Sequence, residues 1–268
     1  MFSWVRDNGL LYLKIDKFLE HDIKAYFTSR IGGVSSKNYS TLNMALHTDD
    51  SREKVLKNRQ LMADSIGVNS EDFVAGEQVH GSNVYIVKKR DTGRGAVNYQ
   101  DSISAVDALI TAEQGIPLIS FYADCVPLFF ADPVKRVVAL THAGWKGTVK
   151  KIAEKTIMMM KKTFNVLPGD IIAAVGPSIS KDFYEVDDYI INQFRLSYHE
   201  LDDFVAAKGK GRYLLDLKLA NIIGIQQMGV PADHILISDY CTFRDSKYFY
   251  SYRREQGETG RMASIIFL

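Results

Sequence analysis

Between Val106 and Phe164 the chain sets four short apolar runs and one long amphipathic stretch in close succession. Val106–Thr111, Leu118–Tyr122, Val126–Ala131 and Arg136–Thr141 are rich in Val, Ile, Leu, Phe and Tyr and read as successive strands. Asp132-Pro133 turns the last pair, which predicts a hairpin. Thr148–Phe164 follows, with Val149, Ile152, Ala153, Thr156, Ile157, Met160 and Phe164 at helical spacing and its lysines mostly on the other face. Such a block needs a sheet with a helix laid on it.

The rest of the chain extends this pattern. Leu10–Lys14, Lys24–Ser29, Val84–Lys88, Ile171–Gly176, Ile235–Ser238, Tyr248–Tyr252 and Ser264–Leu268 read as further strands. Ser51–Ile66, closed by Gly67, reads as a helix, as do Val186–Tyr198 and Leu217–Met228, the last with Asp216 as N-cap and Gly229 as stop. The expected fold class is α/β (or α+β): a mixed β-sheet flanked by helices. No Pro/Ser/Gly linker divides the 268 residues, so one domain spanning 1–268 is expected. Asp91–Ser104 and Lys208–Arg212 read as surface loops.

Lys plus Arg is 33 and Asp plus Glu is 32, so no overall field draws the chain to nucleic acid or an anionic membrane. An anionic ligand must be met by a local site. No apolar run approaches the roughly 20 residues of a membrane span. The first residues break to charge after Val5, which predicts no signal peptide. A cytoplasmic location follows, with Cys125 and Cys241 as reduced thiols.

The hairpin has a chemical consequence. Cys125 precedes its first strand and His142 follows its second, so both lie at one end of it. If His80, in Gly-Glu-Gln-Val-His-Gly, arrives from a separate loop, two imidazoles and one thiol can form a three-ligand zinc site with its fourth position open. Taken singly, a Cys among apolar strands is a buried small hydrophobe and a His at a strand end a hydrogen-bonded one. Ala143-Gly-Trp-Lys-Gly-Thr148 leads into the predicted helix, and its free N–H groups with Lys146 suit an anion. The Gly-x4-Gly-Lys-Ser/Thr pattern of a P-loop is absent. Arg30, in a Gly-containing loop, and Arg253, in the basic and aromatic run from Tyr250, are further candidates for anionic groups.

At these residues the chain resembles the laccase-domain (multicopper polyphenol oxidase) family, whose members are also described as purine nucleoside phosphorylase/adenosine deaminase proteins. The matching stretches are Ser29-Arg30-x-Gly-Gly-Val-Ser35, Leu42-Asn43-Met44, Asn58-Arg59, Gln78-Val-His80-Gly81, Asp107-Ala-Leu-Ile-Thr111, Ala123-Asp124-Cys125, His142 through Thr148, Val175-Gly-Pro-Ser178, Tyr252-Arg253-Arg254 and Thr259 through Ala263. The resemblance implies a single α/β domain with one zinc held by His80, Cys125 and His142. It implies phosphorolysis of adenosine, inosine, guanosine and methylthioadenosine, and deamination of adenosine, so that a purine nucleoside and phosphate are the partners. Position then suggests Lys146, Arg30 and the Gly144–Gly147 turn for anions, Asn43 and Gln78 for ribose or base, Arg253 for substrate, and Asp124 or Glu77 for proton transfer.

A four-copper oxidase needs a blue-copper site and a three-copper cluster, which takes more imidazoles than the six histidines present, His21, His47, His80, His142, His199 and His234. That mechanism is therefore excluded, although a single copper in the same site could oxidise phenols weakly. Two other readings stand beside the zinc enzyme. One is a cysteine hydrolase with Cys125 as nucleophile and His142 as base, acting on an amino-sugar or peptide conjugate. The other is a protein that binds a nucleoside without consuming it. The sequence is silent on oligomeric state.

Overall fold

The computed structural model describes residues 1–198 and 201–268, so His199 lies outside the described residues. Among the described residues fifteen strands form three sheets. The first sheet runs in the order β1 (Phe2–Asp7), β2 (Leu10–Ile15), β3 (Lys24–Thr28), β15 (Met262–Phe267), β7 (Leu118–Tyr122), β4 (Val74–Ala75). It is antiparallel except for β4 on β7. The second runs β14 (Ile235–Ile237), β10 (Ile172–Val175), β8 (Val126–Asp132), β9 (Val137–Ala143), β6 (Ala108–Thr111), β5 (Val84–Ile86). It is antiparallel at its centre and parallel at both edges. A small third sheet joins β11 (Glu185–Asp187), β13 (Arg212–Leu215) and β12 (Val205–Gly209). The helices are α1 (Asp16–Leu19), α2 (Arg52–Ile66), α3 (Trp145–Val149), α4 (Ile152–Phe164), α5 (Asp188–Ser197) and α6 (Leu217–Gln227).

Side-chain parity along the strands stacks these pieces into four layers. Leu13, Ile15 and Phe27 of the first sheet meet Phe129, Ala131, Val138 and Leu140 of the second in one core between the sheets. Alternate residues turn outward, as period-2 geometry requires. On the first sheet, Ile119, Phe121, Ala263 and Ile265 pack against Met62, Ala63 and Ile66 of α2. On the second, Val126, Leu128, Phe130 and Ala139 pack against Ile152, Ile157 and Met160 of α4 and against α5 and α6. The central strands are thus buried on both faces, which is why β6 to β9 read as unbroken apolar runs.

The expectation of mixed sheet and helices holds, with two large sheets where one was expected. Three local readings change. The predicted helix Thr148–Phe164 is two helices, because Lys151 takes a left-handed φ of 62° between α3 and α4. Tyr248–Tyr252 forms no strand. The Tyr248 and Phe249 N–H groups close turns onto Asp245 O, and Phe249 and Tyr250 are apolar because they are buried. Lys208–Arg212 is the tip of the β12–β13 hairpin, with left-handed Gly209, Lys210 and Gly211. Among the described residues no helix is long and apolar enough to cross a membrane.

Candidate metal centre

Three chain segments meet at one end of the inter-sheet core. The β8–β9 hairpin pairs Val126 with Ala143 and Pro127 with His142, so Cys125 stands beside His142 as the hairpin predicts. His142 shares strand parity with Val138 and Leu140 and points between the sheets, with its ring 5.5 Å from that of Tyr122. His80 comes from the loop after β4. Its ring lies 4.9 Å from that of His142, nearly perpendicular to it. A nitrogen of each His and the Cys125 Sγ all lie within 4.8 Å of one another.

One carboxylate assembles this triad. Asp107, immediately before β6, is buried. Its Oδ1 accepts from the His142 ring Nδ1 at 2.8 Å and from the His80 backbone N–H at 3.0 Å. Its Oδ2 accepts from the Gly81 and Val79 N–H groups at 2.6 and 3.3 Å. Asp107 thus orients the His142 ring with a proton on Nδ1 and leaves Nε2 to act as the ligand. It also clamps the turn carrying His80, which sits at a left-handed φ of 56°. Asp107 lies in a stretch matched by sequence, but its partners lie 26 to 35 residues away, so no local pattern reveals its role.

Glycine at 144 and 147 has a steric cause. A Cβ at Gly144 would stand 3.0 Å from Cys125 Sγ and 3.0 Å from His80 Cδ2. A Cβ at Gly147 would stand 2.9 Å from Gly81 O. The close approach of α3 to the ligand loops therefore depends on missing side chains.

Burial alone would push the half-buried Cys125 thiol up, but the charge of His142 and hydrogen bonds from His142 and His80 hold it down to about 6. Burial would pull His142 down, yet Cys125 and the Asp107 hydrogen bond raise it to about 9. Each of the two groups favours the charged form of the other. His80, Cys125 and His142 would offer a cation a soft ligand set that suits zinc or copper. The three side chains can therefore hold a metal ion.

The triad opens into a cleft of about 420 Å³, lined also by His47, Gln78, Phe121, Asp124, Trp145, Tyr184, Ile190, Tyr252, Arg253 and Arg261. That volume suits a small organic ligand. Of the residues proposed from sequence, Asp124, Gln78 and Arg253 stand here. Both Gln78 amide atoms bond to the Phe121 backbone. Asp124, at φ 90°, accepts from Thr242 Oγ1 and from Arg253 N–H, both at 2.7 Å, and burial pushes its carboxyl up.

Others are placed elsewhere. Asn43 is fully buried, and its Oδ1 accepts the Arg261 and Ala45 N–H groups, so it supports Arg261 instead of touching a ligand. Arg30 lines a different cleft with Lys37 and Glu258. There it bonds Ser40 O and Glu255 and stacks on Tyr250. Lys146 is exposed and lies 5.6 Å from the Trp145 ring, outside the cleft lining. The turn it belongs to opens a helix of five residues. Glu77 accepts Ser104 Oγ and Ala105 N–H, away from the lining. His47, Tyr184, Tyr252 and Arg261 were missed as cleft residues. Tyr252 and Arg261 lie in stretches matched by sequence, whereas His47 and Tyr184 come from segments with no local pattern.

Residues 24–268 match the family described as multi-copper polyphenol oxidoreductase laccase. The chain is 40% identical over 245 residues to "Purine nucleoside phosphorylase YlmD" of Bacillus subtilis (strain 168), covering 91% of this chain and 88% of that protein. It is 37% identical over 243 residues to the protein of the same name from Geobacillus stearothermophilus, covering 90% and 89%. It superposes on the crystal structure of Bacillus licheniformis hypothetical protein YfiH with a TM-score of 0.95 at 34% identity, covering 100% of this chain and 98% of that one. By match length and by identity alike, this chain belongs to the multi-copper polyphenol oxidoreductase laccase family.

Proposed function

We propose that this protein is a zinc-dependent purine nucleoside enzyme. In this reading it phosphorolyses adenosine, inosine, guanosine and methylthioadenosine and deaminates adenosine at the same site, in the cytoplasm. The observation that carries the reading is the convergence of His80, Cys125 and His142 at the wall of a nucleoside-sized cleft. The names of the relatives point the same way. Zinc held there supplies Lewis acidity. Trp145, Tyr184 and Tyr252 offer aromatic faces to a purine ring. Asp107 keeps the His142 ring fixed while substrate binds. In phosphorolysis a phosphate oxygen bonds to C1′, the bond from C1′ to the purine nitrogen breaks, and the departing base takes up a proton. We assign that proton transfer to Asp124, which adjoins Cys125 and which burial favours in its protonated form. In deamination water adds at C6 and ammonia leaves.

A second reading draws on one observation. Cys125, His142 and Asp107 are arranged as nucleophile, base and orienting carboxylate, with His142 lowering the Cys125 thiol. A cysteine hydrolase has no use for His80, whereas a metal site does. The deciding experiment measures zinc content and products together for wild type and Cys125→Ala. About one zinc per chain, with inosine formed from adenosine and ribose 1-phosphate formed only with phosphate, is expected of wild type. Cys125→Ala is expected to lose both products and the metal. A metal-free, fully active wild type transfers the assignment to the hydrolase. A wild type that yields neither product at any phosphate concentration ends the purine reading.

A further inference from the structure

The charged groups of the cleft do not cancel. Arg253 and Arg261 line it, and among the described residues neither has a carboxylate within ion-pair distance. Elsewhere Arg30 and Arg254 pair with Glu255, Arg94 with Asp91 and Arg244 with Asp245. Each cleft arginine is held by one edge only. Arg253 Nη1 donates to Glu185 O and its guanidinium lies 5.2 Å from the Tyr184 ring centre. Arg261 Nη1 donates to Thr259 O and Gly260 O, and its guanidinium lies 5.6 Å from the Tyr252 ring centre. Nε and Nη2 of both have no protein acceptor among the described residues.

A third cation stands behind the wall. Arg59 is fully buried and, among the described residues, bonds only neutral carbonyls, those of Met44, Gly95 and Ala96. Its guanidinium lies 4.8 Å from the centre of the Phe121 ring, which lines the cleft. Among the described residues the lining holds one carboxylate, Asp124, which accepts from Thr242 Oγ1 and from the Arg253 backbone N–H, against two arginines. A recess whose arginines outnumber its carboxylates raises the local concentration of anions.

We propose that Arg253 and Arg261, backed by the field of Arg59, form a subsite for inorganic phosphate beside the His80–Cys125–His142 triad. Two open guanidinium edges match the several oxygens of a tetrahedral oxyanion. The choice of phosphate as the anion rests on the phosphorolysis reading. The positive subsite itself does not.

The test compares wild type with Arg253→Gln, Arg261→Gln, Arg261→Lys and Lys146→Gln, each checked for metal content and circular dichroism. Without nucleoside, phosphate at constant ionic strength is expected to raise the Tm of wild type, and this rise is expected to vanish in both Gln variants. In phosphorolysis their KM for phosphate is expected to rise about 10- to 100-fold, the loss of a charge-assisted contact, while the KM for inosine moves far less. Arg261→Lys, which keeps charge but not the fork, is expected to fall between. Arg253 is exposed, so Arg253→Gln decides the matter if Arg261→Gln fails to fold. A phosphate response intact in the Gln variants, or lost only in Lys146→Gln, overturns the proposal. So does a Tm rise with a nucleoside 5′-monophosphate but none with inorganic phosphate. An arginine-dependent response to phosphate in a wild type that makes no ribose 1-phosphate supports the subsite and sinks phosphorolysis alone.

Discussion

Asp107 shows how a single buried side chain can organise a site. Its four hydrogen bonds tie two ligands from different elements into one unit. Asp107→Asn substitutes an N–H donor where an acceptor is needed, so metal affinity is expected to fall about 10- to 100-fold, read by competition with a chromophoric chelator. An unchanged affinity would reduce Asp107 to a packing role. Gly144→Ala brings a methyl to 3.0 Å from both Cys125 Sγ and His80 Cδ2. It is expected to lower metal content while leaving far-UV circular dichroism unchanged, because the clash falls on ligands and not on the core. Cys125, His142 and their proximity could be read from the hairpin. The role of Asp107 could not, because hydrogen bonding across such separations leaves no trace in local pattern.

At the scale of elements, the join between α3 and α4 separates what periodicity shows from what the backbone does. The apolar spacing from Val149 to Phe164 predicts one helix, yet Lys151 is left-handed. The break has tertiary causes on its N-terminal side. Thr148 is held by Asn221 Nδ2 on its hydroxyl and by Tyr198 OH on its carbonyl, and α3 must approach Gly81 through Gly147. A pair of substitutions tests the break by sign. Lys151→Ala and Lys151→Gly both lose the contacts to Glu154 and Tyr198, so their difference isolates φ. Gly is expected to be the more stable by about 1 kcal/mol. A continuous helix would make Ala the more stable by a similar amount. Urea unfolding of the two variants decides between them.

Across the whole molecule, Glu255 links the N-terminal third to the C-terminal loop by accepting from Arg30, Arg254, Thr259 and the Ser251 N–H. Burial alone would raise its carboxyl, but the Thr259 and Arg254 hydrogen bonds hold it below the usual range. A depressed acid stabilises the fold above its unfolded value of about 4.3 and loses that contribution as pH falls through the lowered folded value. Stability is therefore expected to drop on the acid side of about pH 4, with a shallower drop in Glu255→Gln. Equal slopes for the two proteins would remove Glu255 from the acid limb. Local pattern alone specifies the strands of the central block, the β8–β9 hairpin with Cys125 beside His142, and the helices whose caps and apolar stripes are local. These features depend on neighbours within a few residues, where turn chemistry and side-chain period act directly. Long-range packing settles the rest: two sheets share one core, His80 reaches the triad through Asp107, Arg30 and Asn43 serve the scaffold, and Arg253 and Arg261 face a cleft with no ion-pair partner among the described residues. Those outcomes depend on which distant surfaces pack together, and burial, ion pairing and hydrogen bonding between them exist only once the layers have closed.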